Sequence, residues 1–322
     1  MLGRGTSSER SQCSPRNQMF RGGLLFRGRV CIFHPICQFM PIDAKRSREV
    51  FQKLDRDLIK LSSKPSAQSV HRFRTGTRRV QILLAELSPK LDGNEKKLLK
   101  QLNAIRKRAG KLRDLDVQLA ALHSVKVPRE PRRKTQLVHH LIELRSQQEK
   151  KLRKSADRAT IREIRKRLKR AAKRFRPEKS RDPLATAKGM LNRSEASAEL
   201  NEAVLHQYRI LTKRARYAAE FAAPAAAATV FIAELKGIQD ALGDWHDWLT
   251  LTHSAGDRIG DVHESPLVAE IHNVTGAKYR RAVAALTQMR ARMAKASQPA
   301  AQISARTSEK SEKSVGNAVS AA

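Results

Sequence analysis

Two short stretches of the chain carry the residue types that hold phosphate. Val70-His71-Arg72-Phe73-Arg74-Thr75-Gly76-Thr77-Arg78-Arg79 returns 135 residues later as Leu205-His206-Gln207-Tyr208-Arg209-Ile210-Leu211-Thr212-Lys213-Arg214, with a histidine, an arginine three residues on and a basic pair in the same relative places. A guanidinium group presents a fixed fork of donors that matches two phosphate oxygens and stays charged at any cellular pH. Lysine adds a mobile point charge. Imidazole donates from one or both nitrogens, and a neighbouring phosphate favours its protonated form. Each charge-assisted hydrogen bond contributes about 1.5–3 kcal/mol, so a row of them can hold a polymer.

Helices must position these groups. At about 100° per residue, His71, Arg74 and Arg78 fall within an arc of roughly 60°, and Phe73, Val80, Leu84 and Leu87 gather opposite. His206, Arg209, Lys213 and Arg216 form the second stripe, and Arg79 and Arg214 flank the two. A single basic stripe is ordinarily a solvated face, and a single helical histidine is ordinarily a core or capping residue. Recurrence of both in register is what points to a ligand. The other polar clusters are Arg113-Asp114-Leu115-Asp116 and Asp244-Trp245-His246-Asp247. Paired carboxylates can serve acid–base catalysis or bind metal. Set among so many cations, these read as a salt-bridge network that orients them. The expectation is a non-enzymatic chain with no catalytic residue, no cofactor and no metal site. Cys31, His34 and Cys37 are spaced like metal ligands but have no fourth ligand nearby.

The helical pattern runs from Ile42 to about Met293, with Leu, Ile, Val and Ala recurring every three or four residues. Breaks are expected at Ser62–Ser66, Ser88–Asn94, Val127–Arg132, Pro177–Pro183, Ala222–Pro224 and Asp257–Pro266, where Pro, Gly or small polar residues cluster. The recurrence extends past the two signature stretches. Leu98-Leu99, Leu102, Ile105 and Ala109-Gly110 answer Phe231-Ile232, Leu235, Ile238 and Leu242-Gly243 at an offset of 133, and Asp114 answers Asp247. Leu137-Val138 and Leu141 answer Leu267-Val268 and Ile271 at an offset of 130. Matched landmarks with a shrinking offset are what duplication with small deletions leaves. The fold expected is all-α: two four-helix bundles related by internal duplication and pseudo-twofold symmetry, with a basic groove between them. Repeat 1 covers about 42–182 and repeat 2 about 183–293. Residues 1–41 read as a disordered or over-translated extension upstream of a start at Met40, and 294–322 as a disordered tail.

Composition sets the partner class. The 322 residues carry 65 Lys+Arg against 31 Asp+Glu, a formal net charge of +34. Folding gains nothing from such self-repulsion, so the partner is a polyanion: nucleic acid, an anionic membrane or a polymeric phosphate. Aromatic residues make up 4% of the chain, and few of them sit among the cations. Single-stranded nucleic-acid binders stack bases on such residues. All three cysteines lie in the first 40 residues, which fits a reducing cytoplasm rather than a disulfide framework. No segment is apolar enough to span a membrane or to act as a signal peptide. Ile161 to Arg176 is the most basic segment, with a narrow apolar stripe of Ile161, Ile164, Leu168, Ala171 and Phe175. It reads as a bundle helix with a second polyanion-contacting face.

Four motifs in order resemble those of the CHAD family, the conserved histidine α-helical domain. They are Val70-His71-x-x-Arg74-x-x-x-Arg78-Arg79, Arg113-Asp114-Leu115-Asp116-Val117, Leu205-His206-x-x-Arg209-x-x-x-Lys213-Arg214-x-Arg216-Tyr217 and Gln239-Asp240-x-Leu242-Gly243-Asp244-x-His246-Asp247, and the likeness covers roughly Ala44 to Met293. The resemblance implies paired helical bundles whose central basic groove binds inorganic polyphosphate, in mostly bacterial or archaeal proteins, some of them associated with polyphosphate granules. It makes His71, Arg74, Arg78, Arg79, His206, Arg209, Lys213, Arg214 and Arg216 the polyphosphate-binding candidates. Gly76 departs from the pattern, and in a helix interior it costs up to about 1 kcal/mol, which questions the straightness of that helix. The Glu-x-Glu-x-Lys signature of the triphosphate-hydrolysing domain in some members does not occur, so hydrolysis is not expected. Two other readings use the same residues: a nucleic-acid-binding helical protein, and a histidine phosphotransfer domain with His71 or His206 as acceptor.

Overall fold

The structure is a computed structural model that describes residues 39–297, apart from 89, 127–129 and 193–198. The cysteines, His34, most of the expected N-terminal extension and the tail beyond 297 lie outside the described residues. Among those described there are nine helices and no strand: α1 (Ala44–Ser63), α2 (Ala67–Ala85), α3 (Gly93–Ser124), α4 (Pro131–Ser155), α5 (Arg158–Arg174), α6 (Pro183–Asn192), α7 (Glu202–Ala219), α8 (Ala226–Ile259) and α9 (Pro266–Ser297). The all-α architecture expected from the sequence is present, and the six expected breaks fall on helix connections.

Local chemistry starts most of these helices. Asp43, Ser66, Asp157 and Asn201 each accept a hydrogen bond from the backbone amide three residues on, which satisfies an otherwise orphaned donor of the first turn. Asp92 and Glu95 form a full capping box at the head of α3. The α4–α5 break at Ala156 was not legible beforehand. No Pro or Gly marks it, and the Asp157 cap restarts the helix one residue later.

The first bundle is a closed ring in which α1 packs on α2, α2 on α3, α3 on α5 and α5 on α1. Its core is fully buried Leu54, Leu58, Phe73, Val80, Leu83, Leu84, Leu98, Leu102 and Ile164. In the second half α7, α8 and α9 enclose Leu205, Tyr208, Leu242, Trp245, Leu286 and Met289. The ten-residue α6 packs on α7 and sends Ala187, Met190 and Leu191 into the first core. Helices α3 and α8 are 32 and 34 residues long, about 50 Å at 1.5 Å per residue. They outrun both cores. Their distal halves meet α4 and α9 in a third core of Leu115, Leu122, Leu137, Leu141, Leu251, Ala255, Leu267 and Ile271. This shared core, together with α2 against α7 and α3 against α8, joins the halves. A short antiparallel bridge pairs Ile42 with Ala222 through two backbone bonds, Asp43 N to Phe221 O at 2.8 Å and Ala223 N to Pro41 O at 2.9 Å.

Gly76 does not break α2, which runs unbroken from Ala67 to Ala85. A Cβ at this position would lie 3.3 Å from Leu54 Cδ1, so the missing side chain sets how closely α1 and α2 approach. The propensity cost identified from sequence is offset by packing.

Candidate polyanion groove

The signature helices α2 and α7 pack against each other and exchange ion pairs. Arg79 of α2 donates from Nε to Glu220 Oε2 at 2.8 Å, and Arg214 of α7 pairs with Glu86 at the end of α2. Each helix thus gives an arginine to the carboxylate capping the other, which has the form of an isologous contact. Arg216 joins the first pair, donating from Nη1 to Glu220 Oε1 at 2.6 Å and from Nε to Gln239 Oε1 at 2.7 Å. The Arg79 and Arg216 guanidinium groups lie 5.5 and 4.8 Å from the Tyr217 ring centre. Glu220 is buried, so this clamp holds two cations at a desolvated carboxylate. Three sequence-derived candidates, Arg79, Arg214 and Arg216, are therefore tied up in internal pairs that join the two helices.

The other candidates are in a different state. Arg74, Arg78, Arg209 and Lys213 are half-buried, and none of them enters any of the ion pairs found among the described residues. Their charges act on one another across the α2–α7 contact. Burial pulls Arg74 down to about 10, against the pull of Asp114 and with added repulsion from Arg78, Arg106 and Arg209. Burial also lowers Arg209, and Asp247 opposes that shift while Arg78 adds to it. Lys213 is pulled furthest, to about 7, by burial first and then by Arg209 and Arg78. Arg209 Nε is buried without a hydrogen-bond partner. Cations gathered this way, stripped of water and mutually repelling, cost folding energy that an incoming anion would return.

The histidines stand at the two ends of this cluster. His71 feels Arg113, Arg74, Arg78 and Arg79, and burial leads these in lowering its pKa. His206 is lowered by burial and then by His246, Arg209 and Lys213. Both residues keep solvent exposure, and the caps of their helices are Ser66 and Asn201. Neither histidine is a core or capping residue.

The walls of the groove come from α3 and α8. Arg106, Gly110 and Arg113 share one face of α3 at i, i+4 and i+7. Gly110 lets the Arg74 guanidinium lie against the helix, since a Cβ there would collide with Arg74 Nη1. Arg106 is lowered by burial and by Arg78, which places it in the cluster. On α8 the face is Gln239, Gly243 and His246, and the His246 ring stands 5.3 Å from that of His206. Arg106, Arg113 and His246 were not among the site residues expected from sequence. Their signal was available, because the 133-residue offset that matches Asp114 to Asp247 also sets Arg106 opposite Gln239 and Arg113 opposite His246.

The carboxylates divide their work. Asp116 receives Arg145 Nε of α4 at 2.7 Å, and Asp244 receives Lys278 Nζ of α9 at 3.2 Å. Asp114 and Asp247 act on Arg74, Arg209 and Lys213 without contact ion pairs to them, and Asp247 Oδ1 lies 3.9 Å from His246 Nδ1. Among the described residues no cluster of His, Cys, Asp or Glu could hold a metal ion, and no helix is long and apolar enough to cross a membrane.

The most basic helix, α5, lies elsewhere in the first bundle, against α1 and α3. Its apolar side, Ile161, Ile164, Leu168 and Ala171, is wholly committed to the core. Arg165 pairs with Asp55 at 2.8 Å and Arg167 with Glu163 at 2.7 Å. Arg158, Arg162, Lys166, Lys169, Arg170 and Lys173 project outward, exposed.

No curated protein matches the chain. Two solved structures superpose on it, a crystal structure of the CHAD domain from the plant Ricinus communis and PptA from Streptomyces chartreusis. The first is 17% identical with a TM-score of 0.56, covering 82% of this chain and 96% of that one. The second is 17% identical with a TM-score of 0.55, covering 80% and 100%. These likenesses speak for the fold. The family model of the CHAD domain matches residues 46–255, a span that includes both signature helices and both groove walls, and the chain belongs to the CHAD domain family.

Proposed function

We propose that the α2–α7 groove binds inorganic polyphosphate and holds it without cleaving it. The observation that carries this reading is the convergence of Arg74, Arg78, Arg209 and Lys213, half-buried and without carboxylate partners, from two helices onto one place. His71 with Arg113 extends the cationic path at one end, and His206 with His246 extends it at the other. A linear chain of phosphates offers charge at every repeat and no bulk beside it, which suits a narrow path lined by guanidinium forks. The groove supplies few aromatic faces, and nucleic-acid strands commonly use those for stacking. Residence in the cytoplasm and on polyphosphate granules follows as part of the same proposal.

Binding to long-chain polyphosphate should saturate, weaken steeply with salt, and collapse in the fourfold Arg74→Ala, Arg78→Ala, Arg209→Ala, Lys213→Ala variant. Retained affinity in that variant removes the groove from the account. Displacement of polyphosphate by RNA or DNA at equal phosphate concentration would favour the nucleic-acid reading. Phosphohistidine on His71 or His206 after incubation with phosphodonors would favour phosphotransfer.

A further inference from the structure

The two ends of the groove are built from matching positions filled with different chemistry. On α3 the wall is Arg106, Gly110, Arg113; on α8 it is Gln239, Gly243, His246. The first wall carries two permanent charges. In the second, Gln239 is neutral and its Oε1 already accepts from Arg216 Nε at 2.7 Å, which leaves His246 as the wall's ionisable group. Resting on the polyphosphate reading above, we infer that the groove is polarised: its His71/Arg113 end binds phosphate by fixed charge, and its His206/His246 end is a proton-dependent extension that only longer chains engage.

The geometry of the second end supports this. The His206 and His246 rings are 5.3 Å apart and tilted by 34°, close enough for one anion to contact both. Trp245 holds the His246 ring edge-on at 6.3 Å. His246 Nδ1 is buried without a hydrogen-bond partner; Asp247 Oδ1, at 3.9 Å, is too far to accept from it. Burial first, then His246 and the Arg209 and Lys213 charges on α7, oppose a proton on His206, and Arg74 and Arg78 of α2 lie beyond Lys213. Of the carboxylates nearby, Asp247 lies 3.9 Å from His246 Nδ1 and also acts on Arg209 and Lys213, Asp244 is held by Lys278 of α9, and Asp114 of α3 acts on Arg74 and Arg209. A phosphate reaching the rings adds negative charge to the one carboxylate that faces them, favours their protonated forms and gains charge-assisted bonds from the imidazoles.

The test compares two ligands, tripolyphosphate and a long-chain polyphosphate, at pH 8 and pH 6 on the full chain. Lys213 and His71 are unchanged in the variants below, so the difference between wild type and variant reads the second end alone. The His246→Arg variant, which copies Arg113, fixes the charge of the second end. In the wild type the long chain should gain about tenfold more than tripolyphosphate on acidification, as one added charge-assisted contact gives. In His246→Arg that excess should vanish, and the long chain should bind at pH 8 as it does to the wild type at pH 6. His206→Gln, which adds no charge, should also lose the excess. An excess that persists in both variants, or a short chain that gains as much as the long one, overturns the polarity while leaving the groove intact. Absence of saturable long-chain binding at either pH is the different failure, and it strikes the polyphosphate reading itself.

Discussion

Helix α5 and the α2–α7 groove are both rich in arginine and lysine, but they hold that charge in opposite physical states. On α5 six cations point outward from a helix whose apolar side is buried, and each keeps its water. Their mutual repulsion is screened over about 8 Å at physiological salt, and nothing fixes their side chains. In the groove, four cations from two helices have lost much of their hydration and press on one another, enough to bring Lys213 to about 7. An anion at α5 replaces water with a similar partner. An anion in the groove relieves desolvation and repulsion that folding has already imposed. Charge content alone therefore does not rank the two surfaces; burial and convergence distinguish them, and the proposed phosphate site is the one that has both.

The sharpest way to break this comparison is to remove equal charge from each region. Alanine at Arg74, Arg78, Arg209 and Lys213 should weaken long-chain polyphosphate binding by at least about 100-fold, from several bonds of about 1.5–3 kcal/mol each. Alanine at Arg162, Lys166, Arg170 and Lys173 should cost less than about threefold at 0.15 M salt, the scale of screened surface charge. Equal losses from the two variants would show that charge, and not its placement, governs binding.

Cations that are paired should behave differently from cations that are free. Glu220→Gln leaves Arg79 and Arg216 without their shared carboxylate and should destabilise the fold by roughly 2–3 kcal/mol in chemical denaturation. Glu86→Gln removes only the partner of the more exposed Arg214 and should cost under about 1 kcal/mol. Similar effects from both would mean that the clamp is not the buried element described here.

Gly110 separates positioning from stability. Gly110→Ala should raise helix stability by about 0.5–1 kcal/mol, yet it pushes Arg74 off α3 and should lower polyphosphate affinity by about fivefold, a fraction of one charge-assisted bond. Gly243→Ala has open space around its Cβ and should leave affinity near the wild-type value. Affinity that tracks stability in these two variants would remove the steric argument.

The empty protein should also show a pH dependence of stability. Lys213 sits at about 7 when folded and near 10.4 when unfolded, so the unfolded chain binds more protons between those values and stability rises with pH from about 7 to 10. The melting temperature should climb by on the order of 5–10 °C over that window, and Lys213→Met should flatten that part of the rise. Saturating polyphosphate should reverse the trend, because the bound anion holds the amine protonated. A melting temperature indifferent to pH in the empty wild type would place Lys213 in water rather than in the cluster.

How much of this could be read from the residues varies along the chain. The 3.6-residue period of apolar positions gave the helices, and Pro, Gly and capping residues gave six of their breaks, because those signals act within one or two turns. The cationic stripes were legible for the same reason: His71, Arg74 and Arg78 share a face by spacing alone. The α4–α5 break was hidden, since no breaker residue marks Ala156. Membership of Arg106 and Arg113 in the groove was signalled only by the 133-residue offset, because it depends on which helix lies beside α2.

The sequence by itself determined the all-α class, the excess positive charge, the two signature helices and the kind of ligand such faces can hold, all of which follow from local periodicity and composition. Tertiary structure alone decided which cations are free and which are neutralised. Arg78 and Arg79 are neighbours in the chain, yet one lies in the groove and the other pairs with Glu220, 141 residues away. That division depends on where distant carboxylates arrive and how much water is excluded. Both are set by the packing of α2 on α7, and neither is encoded in any short window of residues.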